Sequence, residues 1–164
     1  MSTKLLLSFL LVFGVFALKA QESSVSELQL MPWPQEVSAN SSDFKITEEF
    51  SVYIHGEVKE NSRIFKASTR FLRYMTDKSG VFINQGFPNT KDIQTESASL
   101  QIRFKEVVKV EMGIDESYSL SVDGSRIQII AATDVGAMHG LSTLLQLIKV
   151  NEGAYAFAGV SIQD

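Results

Sequence analysis

The stretch AATDVGAMHGLSTLLQLI, Ala131 to Ile148, decides how this chain is read. It holds a G-x-x-x-G, a histidine and a run of leucines, so it could be a membrane segment, part of a catalytic site or a packing helix. Sorting it at 3.6 residues per turn places His139, Ser142, Thr143, Gln146 and Lys149 on one polar stripe. Apolar residues wrap most of the remaining circumference, the pattern of a helix largely buried against a sheet rather than of one that spans a membrane. Thr133 is a good N-cap, and Asp134 puts negative charge at the positive end of the helix. Gly136 and Gly140, one turn apart, are read as sites where a strand or second helix approaches the backbone, in preference to a membrane dimerisation motif.

Immediately upstream, ESYSLSVDGSRIQIIAAT alternates Tyr118, Leu120 and Val122, turns at Asp123-Gly124, and alternates Ile127, Ile129 and Ala131 on the way back. This is a β-hairpin, with the Asp-Gly pair expected to accommodate positive φ. Further back, Leu100, Ile102 and Phe104 alternate in SLQIRFKEV, and Phe50, Val52 and Ile54 alternate in FSVYIHG as a half-buried strand. Between those two strands, Ile64, Ala67, Phe71, Leu72 and Met75 predict an amphipathic helix over about 59–78, closed by Gly80. VFIN, residues 81–84, reads as a strand and residues 85–98 as an exposed loop. Phe44 and Ile46 suggest a first short strand, and a last strand is expected around Tyr155 to Ile162. The sum is an α/β (α+β) domain with a mostly antiparallel sheet of about five to seven strands and two helices.

The amino terminus reads differently. Lys4 precedes an apolar run from Leu5 to Leu18 and a small residue at Ala20, the form of a secretory signal peptide over residues 1–20. The run falls short of the roughly 20 residues a bilayer needs, and cleavage is expected after Ala20 or Ala17. A flexible leader, 21–29, follows, and order is expected from near Leu30, where LMPWPQEV carries two prolines. Export to a periplasm, a lysosome or the medium is the expectation, with no membrane association after cleavage. The 164-residue chain has 15 basic and 19 acidic residues; removing Lys4 and Lys19 leaves 13 against 19, a net charge near −6. That balance argues against a nucleic-acid partner. With no cysteine, stability must come from apolar packing. One N-glycosylation sequon, Asn40-Ser41-Ser42, matters only if the source glycosylates.

Few residues invite chemistry. His55 and His139 have no second ligand at metal spacing, and there is no H-E-x-x-H, so both read as surface or interface residues rather than zinc ligands. No G-x-S-x-G elbow or phosphate-binding glycine loop is present. The adjacent acids Asp115-Glu116 offer the two carboxylates that glycosidic cleavage commonly uses. Neighbours on an extended segment point to opposite faces, so a solvated strand edge is the preferred reading. Arg63, Lys66, Arg70 and Arg73 beside Tyr74 form a basic stripe that could grip an anionic glycan, but an ordinary solvated helix face is preferred.

Three motifs carry the reading further. Pro32, Pro34 and Gln35; Glu116, Tyr118 and Leu120; and Gly136, Ala137, Gly140, Leu141, Thr143, Leu144, Gln146 and Leu147 occur in that order. Together they resemble the N-terminal accessory domain of glycoside hydrolase family 20 β-N-acetylhexosaminidases, over about residues 30–164. The resemblance implies a sheet with two helices packed on one face, beside a catalytic (β/α)₈ barrel that would follow Asp164 and needs about 250 residues of its own. In that family an Asp-Glu pair on a barrel strand performs the hydrolysis, the Glu protonating the leaving oxygen and the Asp orienting the substrate's 2-acetamido group. Asp115-Glu116 falls in the accessory hairpin motif and is not that pair. No catalytic, cofactor-binding or metal-binding residue is carried over. The expected function is therefore a non-catalytic domain of a secreted exo-β-N-acetylhexosaminidase, with a stand-alone glycan- or protein-binding module as the alternative.

Overall fold

The predicted hairpin lies at the centre of the fold. The computed structural model describes residues 28–91, 97–151 and 153–164. The expected signal peptide, nearly all of the expected leader and part of the expected 85–98 loop lie outside the described residues. In chain order the elements are β1 (Glu36–Ala39), β2 (Phe44–Lys45), β3 (Val52–Ile54), α1 (Arg63–Ser79), β4 (Leu100–Glu106), β5 (Tyr118–Val122) and β6 (Ile127–Thr133). Then come α2 (Asp134–Gln146), β7 (Ile148–Asn151), β8 (Ala154–Phe157) and β9 (Val160–Gln163).

Six strands form one sheet in the order β1-β9-β5-β6-β4-β3, and β2-β8-β7 form a small second sheet. Five of the seven strand pairings described are antiparallel. The exceptions are β3 with β4 and β4 with β6, which makes the large sheet mixed. Because β9 and β6 both run antiparallel to β5, strands β3, β4, β6 and β9 all point the same way. Their carboxyl ends share one edge of the domain.

The register aligns Leu120 with Ile129 and Ile162, and Ile129 with Ile102, so one face of the sheet is continuously apolar. Against it lie Ala137, Leu141 and Leu144 of α2, and Ile64, Phe71, Leu72 and Met75 of α1, in a single core. The helices run parallel, since Arg63 meets Asp134 at their amino ends and Lys78 Nζ donates to the Leu145 carbonyl at 3.0 Å near their carboxyl ends. The small sheet closes the far end of this core: Phe50 packs between Phe44, Phe71 and Phe157, with ring centroids 5.8–6.3 Å apart. Such pairs add modestly to their large area of burial.

Several expectations are corrected. Residues 81–84 form no strand; Gly80 ends α1 at φ 67°, Ile83 drops into the core, and the Asn84 N–H is taken by the Glu48 carbonyl at 3.0 Å. The segment from Tyr155 to Ile162 is two strands in different sheets, and α2 ends at Gln146 so that β7 can begin at Ile148. β1 was not anticipated. β3 is buried on both sides rather than half-buried, because its outer edge is lined by Gln85 and Asn89: Gln85 Oε1 accepts from the Val52 N–H at 2.6 Å, and the Ile54 N–H donates to the Asn89 carbonyl at 2.9 Å. The hairpin turn does not use positive φ at Gly124. Asp123 closes it instead, its carboxylate accepting from the Ser125 and Arg126 N–H groups at 2.8 and 2.9 Å.

Gly136 and Gly140 are packing glycines. A Cβ at Gly136 would collide with the Ser117 carbonyl oxygen and meet that of Glu116 at 3.0 Å; at Gly140 it would lie 2.8 Å from Ile129 Cγ2. Alanine at position 136 gains about 1 kcal/mol of helix propensity. It loses more to overpacking, typically 1–3 kcal/mol, because the obstacle is backbone leading directly into β5. Gly136→Ala is therefore expected to lower the urea midpoint, by a net cost of about 1 kcal/mol. Gly140→Ala, which meets only side-chain atoms, is expected to lower it less.

Candidate functional site

Of the residues singled out from the sequence for chemistry, Arg63, Asp115, Glu116 and His139 lie near the edge where α1 and α2 begin, and each already has a partner there. Thr133 ends β6 and caps α2 without an intervening loop. Its hydroxyl accepts from the Gly136 N–H at 3.1 Å and donates to the Asp115 carbonyl at 2.6 Å. This places the segment 115–117 across the first turn of α2, which is why position 136 must lack a side chain.

Asp115 and Glu116 then turn apart. The Asp115 carboxylate accepts from the Ser117 N–H at 2.9 Å and the Ser117 hydroxyl at 2.6 Å, hydrogen bonds that hold it below its ordinary pKa. Glu116 lies 3.1 Å from His139 Nε2, both half-exposed. The two carboxylates therefore have separate partners and do not face one substrate. Next to them, the Tyr118 hydroxyl meets Thr143 Oγ1 at 2.6 Å inside the core, and burial pushes the phenol up. Thr143 thus leaves the expected polar stripe, as does Lys149, which belongs to β7 and pairs with Asp43 at 2.9 Å. His139 and Ser142 remain exposed.

Asp134 carries more than the expected interaction with the helix end. It is fully buried, and its carboxylate is gripped by Arg63 through Nε and, at 2.8 Å, through Nη2. It also accepts from the Val108 N–H at 3.2 Å, while Arg63 donates to the Val108 carbonyl. Burial by itself would raise this carboxyl; the Arg63 and Val108 hydrogen bonds and the Arg63 charge outweigh it, so the pKa lies below the ordinary value. Nothing local in the sequence signals this pair, whose members are 71 residues apart.

The pair also removes Arg63 from the basic stripe, whose other members, Lys66, Arg70 and Arg73, stay exposed beside Tyr74 on the helix face. Arg63 is committed to Asp134, Arg70 and Tyr74 flank a groove between the helices, and Arg73 lines a separate depression with Leu72 and Ile83. The interhelical groove, about 300 Å³, has Met138, Leu145, His139 and Ser142 on its α2 side. His55 sits elsewhere, at the end of β3, with Nε2 3.2 Å from Gln101 Oε1. Among the described residues no three His, Asp or Glu side chains come together as a metal site, and no helix is long and apolar enough to cross a membrane.

Comparison with known proteins places the sequence in a family. A sequence profile described as beta-acetyl hexosaminidase like covers residues 30–147. The chain is 32% identical over 139 residues to the beta-hexosaminidase subunit A1 of Dictyostelium discoideum, covering 84% of this chain and 24% of that protein. The X-ray structure of Flavobacterium johnsoniae chitobiase superimposes with a TM-score of 0.77 at 42% identity, over 85% of this chain and 21% of that one. The N-acetyl-beta-hexosaminidase of Streptomyces plicatus shares the fold, with a TM-score of 0.55 at 22% identity, over 82% of this chain and 26% of that one. The chain spans about a quarter of the length of the curated relatives it matches.

Removing one partner of a buried ion pair strands the other's charge, so Asp134→Ala is expected to cost about 3 kcal/mol of unfolding free energy. Because the folded pKa of Asp134 is depressed, its contribution is fully present above the unfolded value of 3.8 and is lost as pH falls through the folded value. Denaturation of Asp134→Asn and wild type across pH is thus expected to show a gap at pH 7 that narrows below about pH 4.

Proposed function

Because the chain belongs to the beta-acetyl hexosaminidase-like family and corresponds to an N-terminal domain of family 20 hexosaminidases, we propose that its role there is non-catalytic. It supports and orients a (β/α)₈ barrel that removes terminal β-linked N-acetylhexosamine from glycans, and the whole is exported through the signal peptide at residues 1–20. The observation that carries this reading is the fate of the family motifs. Glu116 and Tyr118 are spent on His139 and Thr143, Gly136 on close packing against the 116–117 backbone, and Gly140 on packing against Ile129 and the Tyr118 ring. Residues that mark the family are thus consumed in joining a hairpin to a helix. A hydrolytic pair would need two carboxylates facing one glycosidic bond, whereas Asp115 is folded back on Ser117. The relatives' extra length, three quarters or so of each chain, leaves room for the barrel.

The purified 164-residue chain is expected to release no N-acetylglucosamine from a chromogenic β-linked substrate. The native secreted polypeptide is expected to do so, and its intact mass to exceed that of residues 21–164 by several tens of kilodaltons. Hydrolysis by the short chain that Glu116→Gln abolishes would overturn the reading; a native mass matching residues 21–164, with saturable binding of a chitin or mucin glycan, would replace it by the stand-alone module.

A further inference from the structure

We propose that residues 40–43, the turn from β1 into β2, lock the two sheets together, and that this lock and an N-glycan on the Asn40 sequon exclude one another. The chain passes between the sheets twice: outward through residues 40–43, where β1 of the large sheet leads to β2 of the small one, and back through Ala158 and Gly159, where β8 leads to β9. The two crossings are tied at Gly159. Its carbonyl accepts from the Asn40 N–H at 2.8 Å, and its own N–H donates to Asp43 Oδ1 at 3.0 Å. The second Asp43 oxygen accepts from Asn151 Nδ2 at 2.8 Å and Lys149 Nζ at 2.9 Å, so the tie reaches β7, the far strand of the small sheet.

The Asn40 side chain completes the lock on the large sheet. Although the residue is exposed, both heteroatoms of its carboxamide are engaged. Oδ1 accepts from the Ser42 N–H at 2.8 Å, and Nδ2 donates to the carbonyl of Val122, the last residue of β5, at 3.1 Å. Gly159 lies against this carboxamide: a Cβ there would fall 2.7 Å from the Ser42 carbonyl oxygen and closer still to Asn40 Oδ1. Nδ2 is the atom that carries an N-linked sugar, a bulky substituent. A sugar in place of the hydrogen that bonds Val122 removes that hydrogen bond, and one in place of the other hydrogen sets a ring on a carboxamide held between Ser42 and Gly159. The acceptor signal and the lock are thus written in the same residues. They separate at Ser42, whose hydroxyl serves the sequon and whose backbone N–H serves the lock.

Expression of the 164-residue chain in two hosts tests this. In a host without N-glycosylation, Ser42→Ala is expected to leave the urea midpoint unchanged, while Asn40→Asp, which keeps the shape of the side chain and loses the donor to Val122, lowers it by roughly 0.5 M. In a secretory host that N-glycosylates, folded wild type recovered from the medium is expected to have the mass of the bare polypeptide, with glycan-bearing chain at least about tenfold enriched in the retained, protease-sensitive fraction. Ser42→Thr, a stronger acceptor, is expected to send more of the chain into that fraction, and Ser42→Ala to abolish the glycan-bearing form. Folded, secreted wild type or Ser42→Thr that carries a glycan and unfolds at the midpoint of the bare chain overturns the exclusion. An Asn40→Asp midpoint equal to that of wild type overturns the lock. Neither result touches the accessory-domain reading, on which this inference does not rest.

Discussion

A carboxylate with no exposure to solvent sits where β6 becomes α2, and the arrangement of the domain around it follows from the need to neutralise it. Burying a charge is tolerable only when it is paired and hydrogen-bonded. Arg63 supplies the pairing from the first turn of α1, and the Val108 N–H supplies a further hydrogen bond from the loop after β4. One side chain thereby fixes how α1 lies beside α2 and where the β4–β5 connection runs. These parts are remote in sequence, and Asp134 brings their positions into one constraint.

The second constraint is steric. β6 passes into α2 with no loop, so the segment leading into β5 has to cross the beginning of that helix, and Thr133 binds it there through the Asp115 carbonyl. With the backbone so close, only glycine fits at 136, and at 140 the same economy lets Ile129 and the Tyr118 ring approach α2. The apolar face shared by β4, β5, β6 and β9 can then pack at contact distance against both helices. The opposite face carries serine and glutamine around β5, β6 and β9 and is covered at Tyr53 and Gln101.

This geometry gives the family motifs a physical meaning. Tyr118, Thr143, Gly136 and Gly140 are two halves of one joint, and Glu116 meets His139 on its outer surface. This joint sets the relation between a hairpin and a helix, and so the shape of the edge from which following polypeptide would emerge. On the role proposed above, fixing that relation is what the domain contributes to the barrel.

Periodicity carries strong information where one face of an element is buried, and the sequence alone therefore determined the central hairpin, both helices, the β4 strand and the packing role of the two glycines. It also carried the family motifs, whose order is written along the chain. Tertiary structure decided what depends on neighbours distant in sequence. Val52 to Ile54 read as half-buried because nothing in FSVYIHG announces that Gln85 and Asn89 line its outer edge. The strand read at 81–84 fails because the Asn84 N–H finds Glu48 rather than a ladder partner. The basic stripe loses its first member because Asp134, 71 residues away, claims Arg63. Asp134 itself looked like an ordinary acid at a helix start; only the converging chain made it the buried charge on which the rest is built, since burial is a property of the surroundings and not of the residue.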